Sequence, residues 1–253
     1  MGLRDFLRRA FASGGSGDPR DAGDRSADRD DADGQGVDDR RARGDAALRD
    51  GLRLRLVSVD SLPTVEGLPH LRAVAPGVVE VLTLDLGDRV MLPPTEQVSR
   101  LGSPSDLVDL GREQLRGLVG PGLHRREVKA QDGLRFCFAH GRGSATSSLA
   151  LVLPSVLAFL EPGVDVRRGV AVAVPDGQHL AYRTIDGLES IMALGPMAAF
   201  TRNGFDDADP GISPEVYWAR GPRLDQWEQL TRQSSEGIEI HVPAALTALV
   251  EED

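Results

Sequence analysis

Two residue types are all but missing from this chain. It has one cysteine, Cys137, and one lysine, Lys129. A single cysteine excludes an intramolecular disulfide and any cysteine-rich zinc site, and it suits a reducing cytoplasm. With lysine nearly absent, the positive charge is arginine. Beside abundant Ala, Gly, Asp and Val, that is the codon bias of a GC-rich bacterial genome. Aromatics supply only 4% of the 253 residues, so a core has to be built from Leu, Val, Ile and Ala. A formal net charge of −10 argues against nucleic acid as the main partner, because phosphate binding needs a basic face. No apolar run is long enough for a membrane-spanning helix. The most apolar helical stretch, 147–160, is short and contains Pro154.

Catalytic motifs are missing as well. The histidines stand at 70, 124, 140, 179 and 241, never within four residues of one another. That excludes a helical zinc pair, although distant ligands can still converge. No Gly-x-Ser-x-Gly elbow occurs. Cys137 and His140 are three apart in a strand-like run, which sends their side chains to opposite faces, so Cys137 reads as packing. The sequence assigns no catalytic residue, cofactor or metal.

What is present divides into three zones. Residues 1–12 place Leu3, Phe6, Leu7, Ala10 and Phe11 at helical spacing, with Arg4, Arg8 and Arg9 on other faces. Such a short basic amphipathic helix suits a groove, a membrane surface or the protein's own core. Residues 13–50 hold eleven Asp and seven Arg, no aromatic, and only Val37 and Leu48 as larger aliphatics. This composition predicts a disordered linker. A calcium loop centred on Gly34 fails, because Arg29 and Arg40 fall where acidic ligands are required. Residues 51–253 form the body.

The body reads as hairpins alternating with helices. Strand-like runs flank Gly87-Asp88, Asp132-Gly133 and Asp176-Gly177, and Asp-Gly is a strong turn signal because glycine accepts positive φ. Ser103-Pro104-Ser105-Asp106 opens one helix, a second begins near Ser147, and Asp186 with Glu189 suggests a capping box for a third. A fourth unit combines "PEVYWARG", "GIEIHV" and "PAALTALVEE". Leu52, Leu54 and Leu56 mark one more half-buried strand. The fold class is therefore α+β, with antiparallel hairpins alternating with helices in two layers.

The phrases "TEQVSRLGSPSDLVDLGREQLRGL", "LRFCFAH", "SSLALVLPSVLAFL", "GVAVAVPDGQHLAY" and "ISPEVYWARG" follow one another in an order that resembles the YtpQ-like bacterial proteins. The resemblance covers roughly residues 77–221. It implies one cytoplasmic α+β body and carries over no activity and no site residue.

Two places invite function. In 140–146 (His-Gly-Arg-Gly-Ser-Ala-Thr) a strand runs through glycines toward a helix N-terminus. No lysine completes a P-loop, and Thr146 stands where a dinucleotide fingerprint needs glycine. An anion contact by Arg142, Ser144 and Thr146 is the functional reading. The plainer one is a turn in which Ser144, Thr146 or Ser147 caps the helix. In "PEVYWARGPRLDQWEQL", alternation puts Trp218 in the core and leaves Tyr217 and Trp227 as candidate interface anchors. Asp206, Asp207 and Asp209 read as a solvated turn. Two functions follow: action through contact with a protein partner, or binding of a small molecule or anion near Arg142.

Overall fold

A computed structural model describes residues 44–251, except 63–67, 69, 87–89, 131, 142, 144 and 236. Residues 1–12 and most of the expected linker lie outside that range. The end of the linker does not. Residues 44–51 are helical (α1), correcting the disordered boundary at 50. Leu48 packs on the core, and Arg49 donates from Nε to Leu101 O at 2.8 Å. One half-buried aliphatic and one long-range anchor thus tie this helix to the body.

α1 leads into a four-stranded sheet. β1 (Leu52–Ser58) pairs antiparallel with β3 (Val78–Asp85), whose other edge takes β2 (Leu71–Ala75) and the short β4 (Val90–Met91). The alternation in β1 is as expected, with Leu52, Leu54 and Leu56 buried. Helices α2 (Thr95–Leu101) and α3 (Pro104–Gly117) follow. Ser103 Oγ accepts from Asp106 N and Pro104 takes the first turn, as the sequence indicates. α3 lies close on β1 because residue 111 is glycine: a Cβ there would stand 2.7 Å from Leu54 Cγ. That close crossing sets the position of the neighbouring Arg112.

The second sheet has six strands in the order β10-β9-β7-β8-β6-β5, every pair antiparallel. These are β5 (His124–Lys129), β6 (Arg135–His140), β7 (Val170–Ala173), β8 (His179–Thr184), β9 (Val216–Arg220) and β10 (Gln226–Gln229). The Asp132-Gly133 and Asp176-Gly177 turns sit where expected. Gly133 has φ 87°, and Asp176 Oδ1 accepts from Gln178 N and His179 N. The strands around Gly87-Asp88 pair, and the turn itself lies outside the described residues.

The helix after β6 starts as a 3₁₀ turn, Ser147–Val152, and becomes α4 (Leu153–Leu160) with Pro154 in its first turn. Proline lacks the N–H that an α-turn would return to residue 150, so the tighter turn precedes it. Past β8 come α5 (Leu188–Met192) and α6 (Leu194–Asp206). The Asp186–Glu189 capping box does not form. Gly187 is the N-cap without a side-chain bond, and Asp186 pairs with Arg183. The fourth unit is present as β9, the ribbon of β11 (Thr231–Ser234) with β12 (Gly237–Ile240), and α7 (Ala244–Glu251).

The α+β class and its hairpin–helix alternation stand, with one layer beyond the two expected. Val170, Val172, Tyr182, Tyr217 and Ala219 face the four-stranded sheet, α3 and α4 in one core. Phe136, Ala171, Ala173, Val216 and Trp218 face α6 and α7 in another. β7 is therefore buried on both sides, which is why it reads Val-Ala-Val-Ala without a polar residue.

Candidate functional site: a cleft over a buried carboxylate

β3 is apolar on its core-facing row except at one position. Val78, Leu82 and Leu84 join the core, and between them stands Glu80, 0% exposed and opposite Leu56 and Arg72 in the two neighbouring strands. A lone carboxylate there would be costly to bury. Three cationic or polar groups compensate it. His70 Nε2 lies 2.8 Å from Oε1. Arg72 donates from Nη2 to Oε2 at 2.9 Å and from Nε to Oε1 at 3.4 Å. Arg112, delivered by α3, donates from Nη2 to both oxygens at 3.0 and 3.3 Å. Burial raises the pKa of Glu80, but the hydrogen bonds from His70 and Arg72 and the charge of Arg112 outweigh it and hold the group at about 2. The carboxylate is ionised at any ordinary pH.

These residues form the wall of a cleft of about 620 Å³, within the range of small-molecule sites. The N-terminal turn of α3, the 3₁₀–α4 junction around Pro154 and the β9–β10 turn complete it. Arg112 also reaches Asp109 of the same cleft, Nη1 to Oδ1 3.8 Å, so the two arginines stand against one buried and one exposed carboxylate. The rim arginines Arg116 and Arg223 have their own partners in Glu113 and Asp225. Trp227 also lines the cleft. Its Nε1 donates to Leu224 O at 3.0 Å, and its ring lies tilted at 35° on Tyr217, 5.6 Å between centroids. The cleft thus offers oriented guanidinium N–H groups and an anchored indole.

A second cavity of about 880 Å³ holds an Asp176–His179 pair, Oδ2 to Nδ1 2.7 Å, along with Asp207, Asp209 and an apolar wall from β1 and β4. Asp176 uses its other oxygen to close its own turn, so the pair is local to the hairpin. His124, His140 and His179 stand side by side on β5, β6 and β8. Even so, no group of three His, Cys, Asp or Glu among the described residues is placed to hold a metal.

The sequence candidates fare unevenly. Arg142 and Ser144 lie outside the described residues. Thr146 is buried, makes no capping bond and directs Oγ1 to Gly143 O at 3.5 Å. Ser147 Oγ is buried with no hydrogen-bond partner. The capping expectation therefore fails for both, because the 3₁₀ start leaves no N-cap geometry. Tyr217 is not an interface residue. It is wholly buried, with its hydroxyl donating to Pro76 O at 3.0 Å and sharing a hydrogen bond with Ser213. Trp218 is in the core as expected. Trp227 is half-buried in the cleft wall. Asp206 pairs with Arg202, whereas Asp207 and Asp209 line the second cavity. Cys137 is buried on the face opposite Phe138 and His140, and burial pushes its thiol up to about 11.

The sequence reading missed the Glu80 cluster. One signal was present: a glutamate inside the apolar run Val78–Leu84, on the same face as three leucines of its neighbour. Arg72 and Arg112 carry no comparable mark.

Among the described residues no helix is long and apolar enough to cross a membrane. Neither family models, curated proteins nor solved structures give a match to this chain. The resemblance to the YtpQ-like proteins rests on the quoted phrases alone.

Proposed function

We propose that this protein binds a small organic anion, a carboxylate or phosphate carrying a planar ring, in the cleft over Glu80. The observation that carries the reading is that Glu80, wholly buried, fixes two guanidinium groups at the cleft wall. Arginine forks match carboxylate and phosphate oxygens, and orienting them in advance lowers the entropy lost on binding. Trp227 supplies a flat apolar surface for the ring. The site differs from the Arg142 loop first considered. A reducing, cytoplasmic setting in a YtpQ-like bacterial protein is part of the proposal, supported by the lone buried thiol.

The test is thermal unfolding in 10 mM benzoate, phosphate or acetate at matched ionic strength. A native-state ligand stabilises by mass action, and a rise of about 2–4 °C per kcal/mol is expected for a body of this size. Benzoate should raise the Tm more than acetate, and Arg72→Gln should abolish the rise. If no anion raises the Tm, or if the rise survives Arg72→Gln, the reading is wrong. A second reading, contact with a protein partner, is favoured by a separate observation: Leu188 and Met192 are 67% and 57% exposed.

A further inference from the structure

The β9–β10 turn, residues 221–225, contributes Pro222, Arg223 and Asp225 to the cleft, and Trp227 follows in β10. One residue of this turn is irregular. Leu224 has φ 54°, and among the described residues no other non-glycine residue has positive φ. In that left-handed region a Cβ crowds the following carbonyl, so hairpin loops ordinarily place glycine or asparagine there. Strain of this kind persists only where the surroundings over-determine it.

Three contacts do so. The Leu224 side chain is 2% exposed and belongs to the same core as Tyr217. Its N–H donates to Gly221 O at 3.0 Å, and its carbonyl accepts from Trp227 Nε1 at 3.0 Å. A change in φ would rotate everything after the Leu224 nitrogen, its carbonyl included, so the indole is tied to the strained conformation. The indole's other support is independent of the turn. Tyr217, tilted against it, is wholly buried and held through its hydroxyl to Pro76 O and Ser213. Support therefore runs from the buried leucine to the backbone, from the backbone to the carbonyl, and from the carbonyl to the indole.

We propose that Leu224 is a positioning residue for the cleft: by holding a left-handed backbone it fixes the Trp227 indole, and with it the preference for a ligand that carries a planar ring. This rests on the anion-binding function proposed above and adds what sets the choice among anions. Guanidinium groups take any small carboxylate or phosphate. The flat indole is what separates benzoate from acetate.

The test sets packing against backbone conformation with two variants of the full chain. Leu224→Ile keeps the apolar volume, but its branched Cβ disfavours positive φ. Leu224→Gly loses the side chain and takes positive φ freely. If Leu224 only fills the core, Leu224→Gly is the more damaging change; if it positions Trp227, Leu224→Ile is. The first readout is hydrogen exchange of the Trp227 indole N–H relative to that of Trp218, which donates to Arg168 O at 2.9 Å and reports global opening. This ratio should rise by about tenfold in Leu224→Ile and stay within about threefold of the natural protein in Leu224→Gly. The second readout is the Tm rise in benzoate over that in acetate. The excess should vanish in Leu224→Ile and persist in Leu224→Gly, with the acetate rise itself unchanged in both. If Leu224→Gly fails to fold, Leu224→Met, unbranched at Cβ, replaces it and should keep the natural ratio and the benzoate excess. An exchange ratio or benzoate excess that fails to separate Leu224→Ile from the unbranched variant overturns the inference and leaves anion binding standing. A natural protein whose Tm no anion raises overturns the binding function, and the role of Leu224 in ligand choice with it.

Discussion

At the centre of the six-stranded sheet, β7 is wholly buried and reads Val-Ala-Val-Ala. In the four-stranded sheet β3 is buried almost as fully and yet places Glu80 in the row of Val78, Leu82 and Leu84. Both strands pair on both edges and face a core, so the fold alone does not require the carboxylate. β7 shows what the position accepts when only packing is selected. Buried ion pairs are weak contributors to net stability, and apolar replacements of similar volume are often neutral or stabilising. On the function proposed above, the polar cluster in β3 serves to orient Arg72 and Arg112 over the cleft.

The comparison can be broken most forcefully at its polar end. Glu80→Ala leaves Arg72, Arg112 and His70 without their shared acceptor and should cost about 3–5 kcal/mol in denaturant unfolding. A loss below 1 kcal/mol would mean that the guanidiniums relax into water and that Glu80 orients nothing.

Acid probes the same group without mutation. The folded pKa of Glu80, about 2, lies below the ordinary 4.5, so the unfolded chain takes up the proton first. The stabilisation is present above pH 4.5 and is lost as pH falls from there through 2, about 3 kcal/mol in all. His140 adds a separate window. Burial and the neighbouring Arg126, His124 and His179 lower its pKa from 6.5, so it too favours the folded state above that value and loses the effect as pH falls below it. His140→Gln should remove the upper window and leave the lower one. If the two windows respond together, the sheets are electrostatically coupled and the comparison fails.

At the apolar end, Val172→Ala in β7 opens a small cavity and should cost about 2 kcal/mol while leaving any anion response unchanged. Helix caps give the smallest effects. Ser103→Ala removes an acceptor from Asp106 N and should cost about 1 kcal/mol. Thr146→Ala, at a position without a capping bond, should cost less than that on the same unfolding curves.

How much of this was legible in the sequence follows from the range of each interaction. Asp-Gly turns, the Ser103-Pro104 helix start and the leucine alternation of β1 are local and read correctly. The Asp186–Glu189 box is equally local and failed because Gly187 took over the cap. Alternation placed Tyr217 and Trp218 on opposite faces of β9 but gave no sign that a layer covers each face, so Tyr217 was assigned to a surface. The candidate site was nearly illegible: His70, Arg72, Glu80 and Arg112 come from a loop, two strands and a helix, and only a glutamate inside an apolar strand gave notice. The Arg142 loop drew notice through its glycines, a pattern that turns share with binding loops.

The most direct test of the central claim replaces the cluster whole, as Glu80→Leu/Arg72→Leu/Arg112→Met, and measures both denaturant unfolding and the benzoate-induced Tm rise. If the cluster exists to present arginines to an anion, stability stays within about 1 kcal/mol of the natural protein or exceeds it, and the benzoate response disappears. A loss of several kcal/mol with the anion response intact would show that the charges hold the fold together and that the ligand, if there is one, binds elsewhere.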